Sequence, residues 1–81
     1  MKNRNGIQTI IKKINSSITI YGFAPQYYYD EQQREYVKVT TDMAKWSIKR
    51  EFKNGDDTIF SWADGEQNYN KILDQWDTYD Y

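Results

Sequence analysis

The stretch Asp42-Met43-Ala44-Lys45-Trp46-Ser47-Ile48-Lys49-Arg50-Glu51-Phe52-Lys53 carries two periods at once, and the fold depends on which one it obeys. Ala44, Ile48 and Phe52 recur at four-residue intervals, as on one stripe of a helix. Trp46, Ile48 and Phe52 fall on alternate positions, as on one face of a strand. A helix would turn Trp46 away from the other apolar side chains, whereas a strand keeps it among them. Asn54-Gly55 follows directly, with the apolar-rich Thr58–Trp62 beyond it, which is the sequence form of a hairpin. The stretch is therefore read as a strand.

Working outward from it, the neighbouring segments also favour strands. Ser17–Phe23 sets Ile18 and Ile20 against Thr19, Tyr21 and Phe23, and Glu35–Thr41 sets Val37 and Val39 against Tyr36, Lys38 and Thr40. Tyr27-Tyr28-Tyr29 suits a strand by its aromatic content, polar Asp30–Arg34 closes a hairpin after it, and Gly22 and Pro25 mark a corner before it. The two ends read differently. Ile7, Ile10, Ile11 and Ile14 are spaced i, i+3, i+4, i+7, with Asn5 as a cap and Asn15-Ser16 as a stop. Tyr69, Ile72, Leu73 and Trp76 repeat that spacing behind Asp64 and Gln67, placed as in a capping box. The expected fold class is α+β. It is a single small domain over 1–81, an antiparallel sheet of four to five strands with an N-terminal and a C-terminal helix on one face (α-β-β-β-β-β-α) and an acidic tail at 77–81 that can move.

Eighty-one residues give one small core, and 3 Trp, 8 Tyr and 3 Phe must supply much of it. Trp46, Trp62 and Trp76 fall on positions read as core-facing, while the tyrosines are left for half-buried sites or for contacts. Histidine and cysteine are absent, which removes the commonest general base, the commonest transition-metal ligands and thiol chemistry. Ser16, Ser17 and Ser61 have no histidine to activate them, Gly55 and Gly65 are isolated, and Asp64-Gly65 lacks the rest of a calcium loop. The expectation is no enzyme, no cofactor and no metal site. The isoleucines of Met1–Ile14 are broken by Gln8, Thr9, Lys12 and Lys13, so no signal peptide is expected, and no apolar run reaches the length of a bilayer span. A cytoplasmic setting fits.

Charge is distributed unevenly. Residues 1–20 carry Lys2, Arg4, Lys12 and Lys13 with no acid, whereas 54–81 carry seven acids against Lys71. Asp74, Asp77 and Asp80 crowd the C-terminal end, where like charges repel and a helix dipole would disfavour anions, which marks that end as an interaction surface. The alternative is that Arg4, Lys12 or Lys13 pairs with these acids. Two sets of candidate contacts follow. Asp74, Asp77, Tyr79, Asp80 and Tyr81, with Tyr27, Tyr28 and Tyr29 as a second patch, would meet a protein. Tyr21, Tyr36, Lys38 and Lys49 would share the sheet face turned away from the helices and could stack a single-stranded nucleic acid.

In size, in its histidine- and cysteine-free composition and in its acidic, tyrosine-rich surface, the chain resembles the small phage-encoded inhibitors of bacterial defence, anti-CRISPR proteins among them. That resemblance implies a stoichiometric inhibitor in a bacterial host cell. Its partner would be a host protein, a nuclease or other nucleic-acid enzyme, with carboxylates in the place of phosphates. A structural or assembly protein is the third expectation.

Overall fold

A computed structural model describes residues 6–81, and these residues form a β protein rather than the expected α-β-β-β-β-β-α domain. Seven strands run in the order β1 (Ile7–Lys13), β2 (Ile18–Pro25), β3 (Tyr27–Asp30), β4 (Glu35–Lys38), β5 (Ala44–Asn54), β6 (Asp57–Trp62) and β7 (Lys71–Ile72). Two short 3-10 turns, Ala63–Gly65 and Leu73–Thr78, are the sole helical pieces among the described residues. No helix among those residues is long and apolar enough to cross a membrane.

The ambiguous stretch becomes the spine. Eleven-residue β5 pairs antiparallel with β2 along one edge. Along its other edge it pairs first with β7 and then with β6, giving the order β1-β2-β5-β6 with β7 beside the start of β5. The β3–β4 hairpin forms a separate two-stranded sheet. Between β5 and β6, Gly55 at φ 64° takes the first central position of a two-residue turn, where a II′ hairpin needs glycine. Between β3 and β4, Asp30 Oδ1 accepts from the Gln32 and Gln33 amides at 2.9 and 3.2 Å, and Arg34 closes the loop at φ 56°.

Both expected helices are overturned, the first by local composition and the second by pairing. Four of the five residues in Ile7–Ile11 are β-branched, which favours a pleated strand. Their environment alternates accordingly: Gln8 and Ile10 turn inward, while Ile7 and Ile11 are 52% and 62% exposed. Asn15, read as a helix stop, instead turns a hairpin: its Oδ1 accepts from the Ser17 and Ile18 amides at 2.8 and 2.9 Å. Asn5, read as the cap, lies outside the described residues, as do Lys2 and Arg4. At the C-terminal end Asp64 adopts φ 53° inside a 3-10 turn instead of capping a helix. Lys71–Ile72 is recruited as β7 on the free edge of β5, and only Leu73–Thr78 coils.

Residues directly opposite each other across a ladder share a face, so register sorts the sheet. One face carries Ile10, Ile20, Gly22, Ala24, Trp46 and Ile48 and is the core side. Val39, Ala63 and Leu73 complete the fully buried cluster, and Ile18, Tyr28, Met43, Trp76, Tyr79 and Tyr81 pack against it. Trp46 donates from Nε1 to the Thr40 carbonyl at 2.9 Å, and Gln8 Nε2 donates to the Val39 carbonyl at 3.0 Å. These bonds hold the 39–41 segment over the core. The last eleven residues cross the same face as a strap, with Leu73 seated over Gly22.

One charge is buried with the strap. Lys71 is 6% exposed, and its ammonium donates to the Glu66 carboxylate and to Asn70 Oδ1 at 2.8 Å. The bond from Lys71 holds the Glu66 carboxyl below its ordinary pKa, with further help from Asn70. A depressed carboxyl stabilises the fold above its unfolded pKa, and that stabilisation is lost as pH falls through the folded value. The Glu66→Gln protein is therefore expected to be less stable than the parent at neutral pH. The difference should narrow on acidification below about pH 4, the ordinary glutamate range. Parallel thermal melts across pH 3 to 7 check this; curves that stay equally far apart down to pH 3 would remove the ion pair from the account.

Candidate functional site

The face opposite the core carries Ile7, Thr9, Ile11 and Lys13 from β1 and Thr19, Tyr21 and Phe23 from β2. From β5 it carries Ser47, Lys49, Glu51 and Lys53, and from β6 Thr58, Phe60 and Trp62. The strap and the 39–41 segment both lie on the other side, so this face stays open along most of its length. Phe60 is 55% exposed.

Lys49 stands at its centre. Its ammonium lies 4.9 Å from the ring centre of Phe60, 5.5 Å from Trp62, 5.6 Å from Tyr21 and 5.8 Å from Phe23. Four rings at these distances attract a cation through their quadrupoles and fix the lysine stem on the sheet. Phe23 and Trp62 pack with centroids 6.3 Å apart. The Tyr21 hydroxyl donates to Glu51 Oε1 at 2.7 Å; that bond, with burial and the carboxylate charge behind it, raises the phenol's pKa. The single acid on the strands of this face is thus already engaged. Three lysines, Lys13, Lys49 and Lys53, give the face a positive balance within a chain of net charge −1.

At the β7 end the chain from Glu66 to Asn70 folds back along this side, where Ser47 Oγ donates to the Gln67 carbonyl at 2.9 Å. The fold-back leaves a pocket of 290 Å³ lined by Ile7, Phe23, Ser47, Trp62, Gln67 and Tyr69. Two of its walls are the Phe23 and Trp62 rings, and Tyr69, 51% exposed, closes a third.

Of the residues read as a nucleic-acid face, the structure unites Tyr21 and Lys49 and separates Tyr36 and Lys38, which lie on the β3–β4 hairpin. Phe60 and Trp62 were not among those candidates. Trp62 had been placed in the core, but its pairing with Lys49 puts it on the open face, because residues opposite each other share a side. The hairpin carried that information: counting pairs back from a turn at Gly55-Asp56 puts Trp62 with Lys49 and opposite in sense to Trp46.

The residues read as a protein contact are not one surface. Asp74 and Asp77 are exposed. Tyr79 accepts from the Ile72 amide at 2.8 Å, and Tyr81 donates to the Trp76 carbonyl at 2.7 Å, both packed against the core. Asp80 exchanges bonds with Asp64, its carbonyl accepting from the Asp64 amide at 2.6 Å and its amide donating to Asp64 Oδ1 at 3.0 Å. Burial, with the neighbouring Tyr79 charge, pushes the Tyr81 phenol up to about 12, while Arg50 pulls it the other way. In the triple tyrosine, Tyr28 packs inward under Lys45, whose ammonium lies 4.6 Å from its ring, and Tyr29, 50% exposed, meets Tyr36 edge-on at 5.3 Å. Among the described residues no three acids cluster to hold a metal ion.

The geometry is thus an antiparallel sheet face on which four rings surround one lysine. Compared with known proteins, the chain matches no family model, no curated protein and no solved structure. Geometry alone therefore carries the functional reading.

Proposed function

We propose that the chain is a non-enzymatic binding protein whose working surface is the open face of the sheet. The observation that carries this is the exposure of Phe60, Ile7 and Ile11 around a ring-caged lysine, on a sheet face that the described segments leave largely open. Apolar side chains gathered on an open face mark a contact site. The absence of histidine and cysteine from the sequence supports a binding role over a catalytic one.

A second reading keeps the phage-type inhibitor that occludes a host nucleic-acid enzyme, and it rests on the exposed Asp74 and Asp77. With Tyr79 and Tyr81 turned inward, that contact would depend on charge, so reversal of both acids would act mainly through association rate and salt dependence. Affinity capture from a bacterial lysate, with and without nuclease treatment, separates the two. Loss of the captured partner in Phe60→Ser, with retention in the Asp74→Lys/Asp77→Lys double variant, is the expected result. The reverse pattern transfers the working surface to the acidic end.

A further inference from the structure

Resting on the reading of the open face as the working surface, we propose that its ligand is a single-stranded nucleic acid laid across β1, β2, β5 and β6. Three features of the face select that chemistry. The first is a cluster of rings around a cation. Phe60 presents an exposed π-face, Tyr21, Phe23 and Trp62 stand beside it, and Lys49 lies within 6 Å of all four. Bases stack on such rings regardless of sequence, while lysines follow the phosphates between them.

The second is charge. Lys13, Lys49 and Lys53 face the open side, and Glu51, the acid among them, holds the Tyr21 hydroxyl. Asp64, Asp74, Asp77 and Asp80 belong instead to the turn after β6 and to the strap. The molecule therefore presents a positive side in spite of its net charge of −1. The third is the pocket beside the rings. Its 290 Å³ is volume enough for a single base, and Phe23, Trp62, Tyr69 and Gln67 are among its lining.

The same features disfavour a second copy of this chain as occupant. A two-fold contact centred on the Lys49 ring cluster would bring two Lys49 ammoniums together in a desolvated centre with no uncommitted acid to pair them. Duplex fits poorly as well, because its bases are stacked on one another and unavailable to flat rings.

The test is fluorescence anisotropy with labelled ten-nucleotide oligothymidine, the matching duplex, and the full chain at low salt. Micromolar binding of the single strand, at least tenfold tighter than the duplex and weakening with added salt, is expected. Phe60→Ala should weaken it by about tenfold, in the range of one lost stacked base. Lys49→Gln should weaken it and flatten the salt dependence by roughly one phosphate contact. Glu31→Gln, in the β3–β4 loop, should leave it unchanged. Phe60 is exposed, so its removal opens no core, and Phe60→Leu keeps the apolar volume while losing the ring; both variants should melt close to the parent. Absence of single-strand binding at low salt overturns the proposal, as does binding that Phe60→Ala and Lys49→Gln both leave intact. If the oligonucleotide fails while Phe60→Ser still abolishes capture of a nuclease-resistant protein partner, the ligand class falls and the open face remains the working surface.

Discussion

Replacing Trp46 by alanine is expected to cost about 3–5 kcal/mol, the largest loss of any single substitution in this chain. The indole is fully buried at the centre of the sheet's core side, and its Nε1 is the donor that ties the Thr40 carbonyl over that core. Domains of this size hold about 4–12 kcal/mol in total, so the variant would be marginal at best. Trp46→Phe separates the two contributions. It keeps most of the ring and removes the indole's hydrogen bond to the Thr40 carbonyl, which still accepts from the Met43 amide at 3.2 Å, at a cost of about 0.5–1.5 kcal/mol. Urea denaturation should rank parent, Trp46→Phe and Trp46→Ala in that order. Trp62→Ala is the internal comparison. It lies on the open face, half-buried, and should cost clearly less than Trp46→Ala; equal losses at the two tryptophans would mean that the sheet's sides are assigned the wrong way round.

The second large effect concerns a single missing carbon. A Cβ built on Gly22 would lie 2.7 and 2.8 Å from the two terminal carbons of Leu73 and 3.1 Å from the Trp46 ring. Leu73 is fully buried, so its methyl groups cannot swing aside into solvent. Gly22→Ala is expected to destabilise by about 1–3 kcal/mol through overpacking. Leu73→Ala alone should cost about 2–5 kcal/mol by leaving a cavity. The double variant distinguishes a clash from a backbone effect. With Leu73 shortened, the new methyl enters vacated space, and the second change should cost little or even stabilise. Such a coupling falls within about 0.5–3 kcal/mol for residues in contact. Strict additivity would show that Gly22 is needed for its backbone and not for the approach of the strap.

Much of the sheet was legible because its signals were local. The alternation of Trp46, Ile48 and Phe52 identified the spine, Asn54-Gly55 fixed the β5–β6 hairpin, and Asp30–Arg34 closed β3–β4. The two ends misled for different reasons. Four isoleucines at i, i+3, i+4, i+7 satisfy a helical stripe, yet a strand at the sheet's edge needs only two inward positions, and Gln8 and Ile10 supply them. Spacing does not distinguish these cases, whereas the β-branched content of Ile7–Ile11 does. Tyr69–Trp76 misled because tertiary pairing outweighed local period: β5 is longer than β6, and the unmatched half of its edge captured Lys71–Ile72.

The site was legible only in part. Tyr21 and Lys49 could be placed on one face by alternation within their own strands, but Tyr36 and Lys38 were assigned there on the assumption that all strands join one sheet. They belong to a second sheet, and no pattern within Glu35–Lys38 states which sheet it joins. Tyr79 and Tyr81 have the composition of an exposed acidic tail, and their inward turn depends on hydrogen bonds to Ile72 and Trp76 that only the folded strap creates.

The pairing of β5 with β6 and β7 end to end along one edge has a consequence for how the chain comes apart. β6 is joined to β5 by a two-residue turn and is held over six register pairs, whereas β7 is anchored by two and begins fifteen residues after the turn. The shorter zipper should open first, lifting Leu73 off Gly22 and wetting Trp46 while the β1-β2-β5-β6 ladder stays closed. Amide protons of Lys71 and Ile72 would then exchange with solvent well before those at the centre of β5. The order in which protection is lost would mark the strap as a latch on an otherwise persistent sheet.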